Sequence, residues 1–465
     1  MFAIQQLHPE IFSNVLEYTP LDPLWSCSKE FAIHQKKYKY YRLNEKYSLE
    51  FYRDGEFRRG LLKRVEYPQR QISVKIHENL FMETAEIFRN LHSVEIMYND
   101  SLTDISALTS VAKVSIYSCK ALTDVSCLSK IVDEPKIIDE PSERLTVRER
   151  LTIGWCKSLT DVSALGNIRY LNLAGCKSLT DVSALGNVYH LNLSCCYNIT
   201  DVSALGNVHY LNLAECHRVR DVSALTNVYE LNLTNTSVRD VSALGNTHTL
   251  NINQCREVRD ISALGRIYHL EMKGCDLVEN ISALTGVRYL NASGCYQIRD
   301  ISALRNIETV FLNGCCLIND VSALVNAKEV YLSGCFEIRD VSPLANVHTL
   351  HITDSYHITD VSALGNIRKL YIMYCPNITD VSALGNVPYL NLTGCQKIED
   401  VSALGNVQTL ILDDCKSIRD ISALGRVNQL ELRNCHNIKD YDCVRNVPNL
   451  VYEGFLRRNG VDIIY

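Results

Sequence analysis

Nowhere in this 465-residue chain do eighteen apolar residues run together, so the sequence offers no candidate membrane span. The opening MFAIQQLHPEIF lacks a basic n-region, an uninterrupted apolar core and a small-residue cleavage site, and a signal peptide is not expected. Charge of one sign is also scarce. A net charge of −6 is too small to argue for nucleic acid or an anionic membrane surface. The motifs that carry chemistry are absent as well: no G-x-x-x-x-G-K-[ST], no H-E-x-x-H, no G-x-S-x-G, no C-x-x-C and no zinc-spaced cysteine set. Neither an enzyme nor a cofactor is expected.

What is present is a repeat. Residues 161–180 read DVSALGNIRYLNLAGCKSLT and the next twenty read DVSALGNVYHLNLSCCYNIT. The leading Asp recurs every twenty residues from Asp161 to Asp440, with Asn280 in one slot and a single deletion near Thr236. Asp104 and Asp124 are earlier copies, separated from Asp161 by an insertion. A fixed period of this length marks a solenoid in which each copy is one coil.

Within one copy, apolar or small residues fall at Val162, Leu165, Ile168, Leu171, Leu173, Cys176 and Leu179. Leu171 and Leu173 alternate with Tyr170, Asn172 and Ala174, the period of a short strand buried on one face. Asp161 precedes a tight Val-Ser-Ala-Leu turn, where its carboxylate can accept backbone N–H groups. Gly166-Asn167 is expected to supply a positive φ on leaving that turn. Each coil is then one short strand plus one short 3-10 turn, and only stacking on neighbours buries its inward side chains. The aspartates belong to separate coils, which gives little support to pairing two of them as acid and base.

L-x-L-x-x-C followed by I-T-D or V-x-D resembles the cysteine-containing variety of the leucine-rich repeat, and D-[VI]-S-A-L-x-N-V is similar to the convex side of bacterial surface repeats. The resemblance covers roughly residues 70–455. It implies an α/β leucine-rich-repeat solenoid: a horseshoe with a parallel concave sheet, a short 3-10 or turn convex side and, here, a small N-terminal helical domain. The near-identical units also look like those of F-box and repeat proteins in the genomes of giant DNA viruses.

Fourteen of the nineteen cysteines share one repeat position, from Cys119 and Cys156 to Cys435. Thr236 and Ser355 fill that inward slot in two copies, which suits a requirement for small size better than one for bonding. So many free thiols point to a reducing compartment, cytoplasm or nucleus. Asn-x-Ser/Thr sequons at Asn192, Asn232, Asn291 and Asn391 fall on strands, where glycans would crowd the face.

Residues 1–45 do not fit the repeat. Leu7, Pro9, Glu10 and Ile11, followed by Val15 and Leu16, have helical spacing, and Leu24 belongs to a second short helix. LHPEIFSNVLEYTPLDPLWSCSKEF resembles an F-box, the helical unit that binds the Skp-type adaptor of a cullin ubiquitin ligase. That resemblance makes Leu7, Pro9, Glu10, Ile11, Val15, Leu16 and Leu24 adaptor-binding residues. The alternative is an amphipathic helical cap over the first coil. Residues 46–70 read as a linker or cap; the stretch 36–70 is basic and aromatic but interspersed with acids, so a nucleic-acid partner is not expected there. The solenoid is expected over 71–455, with a loop insertion at about 130–148, KIVDEPKIIDEPSERLTVR, and a C-terminal cap over 456–465.

Binding is expected on the concave face. The central strand position is Asn in the first half, Asn172 to Asn251, and becomes Phe311, Tyr331, His351 and Tyr371 later. With strands about 4.8 Å apart, these four form one aromatic stripe, joined by Tyr289 and Tyr389 from the position two residues earlier. Clustered aromatics are the usual material of binding hot spots, whereas the Asn run is expected only to stack on itself. The function expected is a substrate-recognition subunit of an Skp–cullin ligase, the repeats holding an unknown protein. The alternative is a non-catalytic interaction scaffold with no ligase role.

Overall fold

The computed structural model describes residues 40–43, 45–56, 58, 71–77, 91–109, 111, 113–128, 150–452, 455–458 and 461–464. The F-box-like residues Leu7 to Leu24 and the insertion at 130–148 lie outside the described residues. The chain divides into two compact units, Met1–Val219 and Arg220–Tyr465.

In the first unit, β1 (Tyr40–Arg42) and α1 (Glu45–Arg53) precede β2 (Gln71–His77), β3 (Leu91–Met97), β4 (Lys113–Tyr117) and β5 (Arg150–Gly154). Then come β6 (Tyr170–Asn172), β7 (His190–Asn192) and β8 (Tyr210–Asn212). Each strand pairs in parallel with the next, so β1 adds a strand in front of the repeats and α1 occupies the stretch read as a linker.

The second unit repeats the plan. It contains β9 (Glu230–Asn232), β10 (Thr249–Asn251), β11 (His269–Glu271), β12 (Tyr289–Asn291), β13 (Thr309–Phe311) and β14 (Glu329–Tyr331). These are followed by β15 (Thr349–Thr353), β16 (Lys369–Met373), β17 (Tyr389–Asn391), β18 (Thr409–Ile411), β19 (Gln429–Leu432) and β20 (Asn449–Tyr452). All pair in parallel, and β21 (Phe455–Arg458) and β22 (Val461–Ile464) then close the run as an antiparallel pair against β20. Register places each residue beside its own copy, as in Leu171↔Leu191. The one-residue deletion leaves the strands in phase, since Leu231 pairs with Leu250.

One coil shows why the sequence folds this way. Asp161 Oδ1 accepts the Ser163 N–H at 2.9 Å, fixing the entry to a 3-10 turn over Ser163–Leu165. Ile168 N–H closes on Leu165 O at 3.0 Å, the strand follows, and Cys176 N–H turns back onto Leu173 O at 3.2 Å. Val162, Leu165, Ile168, Leu171, Leu173, Cys176 and Leu179 are all at most 4% exposed. Seven inward side chains on a strand-plus-turn coil, stacked in register, make this a leucine-rich-repeat solenoid.

The glycine expectation needs correction. Gly166 is right-handed, φ −61° and ψ −17°, so it supplies no positive φ. A Cβ there would lie 2.3 Å from the Ala184 carbonyl oxygen of the next coil, and the glycine serves close coil-on-coil approach. The left-handed residue is the one before the ladder cysteine: Gly175 at φ 75°, and equally Cys195 at 60°, Glu215 at 65° and Asp414 at 59°.

Candidate functional site

The ladder thiols also differ from expectation. Cys176 Sγ donates to Ile153 O at 3.1 Å, Cys196 to Leu173 O at 3.2 Å and Cys435 to Leu412 O at 3.0 Å, each acceptor lying in the coil before. Size is therefore only half of the requirement, because the S–H also fills a second lone pair of carbonyls such as Leu173 O and Leu412 O, which already accept an N–H within their own turn. The exceptions have a cause. Between β15 and β16 the pairing runs five residues, and Cys375 falls back on its own coil, Met373 O at 3.4 Å. The same happens at Cys119 and Cys156, which follow the extended pairings of β3 with β4 and of β4 with β5, five and four residues long. Burial pushes the Cys176 thiol up to about 11 and that of Cys395 to about 12.

On the outward side of the strands the asparagines do more than stack. Asn172 Oδ1 accepts the Ala174 N–H at 3.0 Å, and Asn192, Asn232 and Asn391 do the same for Ser194, Thr234 and Thr393. Each caps the N–H that a three-residue strand leaves unpaired just past its end. Sequence reasoning missed this, although an Asn two residues before a small polar or Ala residue is the pattern of an Asx turn. Where the central residue is not Asn, the previous coil can supply the cap: Asn313 Oδ1 takes Ser333 N–H at 2.9 Å and Asp413 Oδ1 takes Arg433 N–H at 2.9 Å.

The aromatic residues come together on that face. Phe311 and Tyr331 stack with centroids 4.1 Å apart, Tyr331 and His351 at 4.4 Å, and His351 and Tyr371 at 3.8 Å. Tyr289 joins Phe311 at 5.7 Å and Tyr389 joins Tyr371 at 4.9 Å, both tilted. His269 extends the column at 3.9 Å from Tyr289. All six stripe residues are half-buried by their neighbours, with their outer edges towards solvent.

Carboxylates border the stripe. Glu271 Oε2 accepts from Asn291 Nδ2 at 2.9 Å, and Glu329 accepts from Tyr331 Oη at 3.5 Å. Burial, then Glu271, pushes the Tyr289 phenol up to about 12. Burial alone holds His351 down to about 4, so the imidazole is neutral within the column near pH 7. Among the described residues, no cluster of three or more His, Cys, Asp or Glu side chains could hold a metal ion, and no helix is long and apolar enough to cross a membrane.

No protein-family model and no curated protein matches the chain. Solved structures do. An internalin (inlF) from Listeria monocytogenes is similar at 21% identity and TM-score 0.40 over 75% of this chain and 88% of its own. The functional domain of InlJ from Listeria monocytogenes, described as including a cysteine ladder, is similar at 18% identity and TM-score 0.41, covering 78% and 73%. A leucine-rich-repeat protein from Leptospira interrogans, LIC12759, is similar at 15% identity and TM-score 0.41, covering 77% and 87%. At this level of similarity the fold assignment rests on the coil geometry itself, and that geometry is a leucine-rich-repeat solenoid.

Proposed function

We propose that the chain is a non-catalytic protein-binding scaffold that holds a partner on the strand face of residues 220–465, centred on Tyr289, Phe311, Tyr331, His351, Tyr371 and Tyr389. One observation carries the reading. Over β13 to β16 the structurally useful Asn is abandoned on four consecutive coils in favour of stacked rings, and Ser333 must borrow its cap from Asn313. Elsewhere the Asn gives way to unrelated residues, such as Glu271, Ile411 and Glu431, whereas four successive coils with an aromatic ring respond to a requirement other than folding. Rigid, half-buried rings with open edges provide large contact area at little entropic cost.

The test is selection of peptide or mini-protein binders on the intact chain, with counter-screening on Tyr331→Ser/His351→Ser/Tyr371→Ser. Binders that lose about tenfold or more in affinity, as hot-spot removal requires, support the reading. A pool that binds parent and variant equally removes it.

The finer form of this reading makes the scaffold the substrate-recognition subunit of an Skp–cullin ubiquitin ligase acting in the cytoplasm. Its support is the F-box-like sequence around Leu7, Pro9, Glu10, Ile11, Val15, Leu16 and Leu24. The ladder thiols, acting as S–H donors, suit a reducing compartment. Co-elution of the full chain with an Skp adaptor, lost on Leu7→Ala/Pro9→Ala/Ile11→Ala, is the expected result. Failure of the parent to co-elute leaves the scaffold without a ligase role.

A further inference from the structure

The strand face of the first unit has a different character from the aromatic stripe. From β4 to β8 its described strand residues include two exposed cations, Lys113 and Arg150, and no carboxylate, and a third exposed cation, Arg169, stands directly before β6. Among the described residues, the side chains of these three make no ion pair or hydrogen bond. Arg148 and Glu149, just before Arg150, lie outside the described residues.

Two of these cations are held in place by rings. The Arg150 guanidinium sits 5.8 Å from the Tyr170 centroid, and that of Arg169 sits 5.7 Å from Tyr170 and 5.2 Å from Tyr189. A guanidinium resting on an aromatic face keeps its N–H edge free, and little further entropy is lost when that edge forks onto a carboxylate. Beside them, Asn172, Asn192 and Asn212 spend their amide oxygens on backbone caps, which leaves their NH2 groups as the outward-facing functionality. The face is rich in donors and poor in acceptors.

We propose that this face binds an acidic segment of a partner protein, an extended Asp- and Glu-rich stretch whose carboxylates are taken by Arg150 and Arg169 and flanked by the Asn172 and Asn192 amides. The proposal does not rest on the partner reading of the 289–389 stripe, which lies in the other unit. Single-stranded nucleic acid is the weaker occupant, because base stacking needs open ring faces. Here Tyr189 lies between Arg169 at 5.2 Å and a stacked His209 at 4.8 Å. Three cations also neutralise few phosphates.

The test is fluorescence anisotropy of a labelled alternating Asp-Glu peptide against the full chain, at low and at moderate salt. The chain carries a net charge of −6, so non-specific attraction of this probe is disfavoured from the outset. Binding that weakens with salt, falls about tenfold in Arg150→Gln/Arg169→Gln and is unchanged in Arg305→Gln on the turn side is the expected result. Arg169→Lys, which keeps the charge but loses the fork, is expected to fall between parent and the double variant. No anisotropy change with the parent, an equal loss in Arg305→Gln, or tighter binding of an oligothymidylate than of the peptide each overturns the proposal. Unchanged thermal midpoints of the variants establish that the loss is one of binding.

Discussion

The thiol of Cys196 donates its hydrogen to the Leu173 carbonyl oxygen, 3.2 Å away in the preceding coil. At Cys375 the thiol turns instead to Met373 within its own coil at 3.4 Å. Cys196→Ala therefore removes an inter-coil bond together with a buried sulfur and is expected to cost about 1–3 kcal/mol. Cys375→Ala removes the packing and a longer bond within its own coil but no inter-coil bond, and should cost less. Urea unfolding midpoints of the two variants decide the matter, and equal shifts would mean that the thiol acts by size alone.

Asn313 caps Ser333 across the coil boundary, at the point where Tyr331 occupies the place of a capping Asn. Asn313→Ala leaves that partly buried N–H without its acceptor and is expected to destabilise by about 1–2 kcal/mol. Adding Tyr331→Asn restores a cap from within the coil, so the double variant should recover most of the loss. Thermal midpoints read the recovery.

Burial holds His351 down to about 4 in the folded chain. The unfolded chain takes up that proton near the ordinary value of about 6.5. Between these limits the unfolded state binds more protons, so this residue's contribution to stability is lost as pH falls from about 6.5 towards about 4. His351→Phe keeps a ring in the column and removes the titration. Its melting temperature should fall less than the parent's between pH 7 and pH 5, and parallel curves would show that the imidazole is not shielded by its neighbours.

Gly166→Ala would set a Cβ 2.3 Å from the Ala184 oxygen. Because the obstacle is backbone, relief requires the coils to separate, and a loss of about 1–3 kcal/mol is expected. Coils carrying Arg305 or Val325 at the equivalent place already accommodate a side chain. Arg305→Gly should accordingly change the melting temperature little.

The inward residues and the role of Asp161 were legible in the sequence because both are set within one coil, by period and by a hydrogen bond spanning two residues. The functions of Cys196, Gly166 and Asn313 were not, because each concerns an atom roughly twenty residues away in sequence. Nor was the left-handed position visible. Its occupants include Trp155, Glu215, Gln254 and Tyr374, a set with no shared chemistry. The conformation there is imposed by the coil rather than chosen by the side chain. The stripe from Tyr289 to Tyr389 was legible as a placement, since in-register stacking converts a twenty-residue step into neighbouring rings.

The pairing of Leu231 with Leu250 shows that a coil can lose a residue between its ladder position and its aspartate without disturbing the strands on either side. Phase is re-established at every coil, so no coil depends on a count kept from the beginning of the array. Duplication or excision of a whole unit then hands the next coil a neighbour with the same contacts as before. Such a chain can change its length by recombination between near-identical segments, one strand at a time, with each added or removed coil meeting the contacts its neighbours already make.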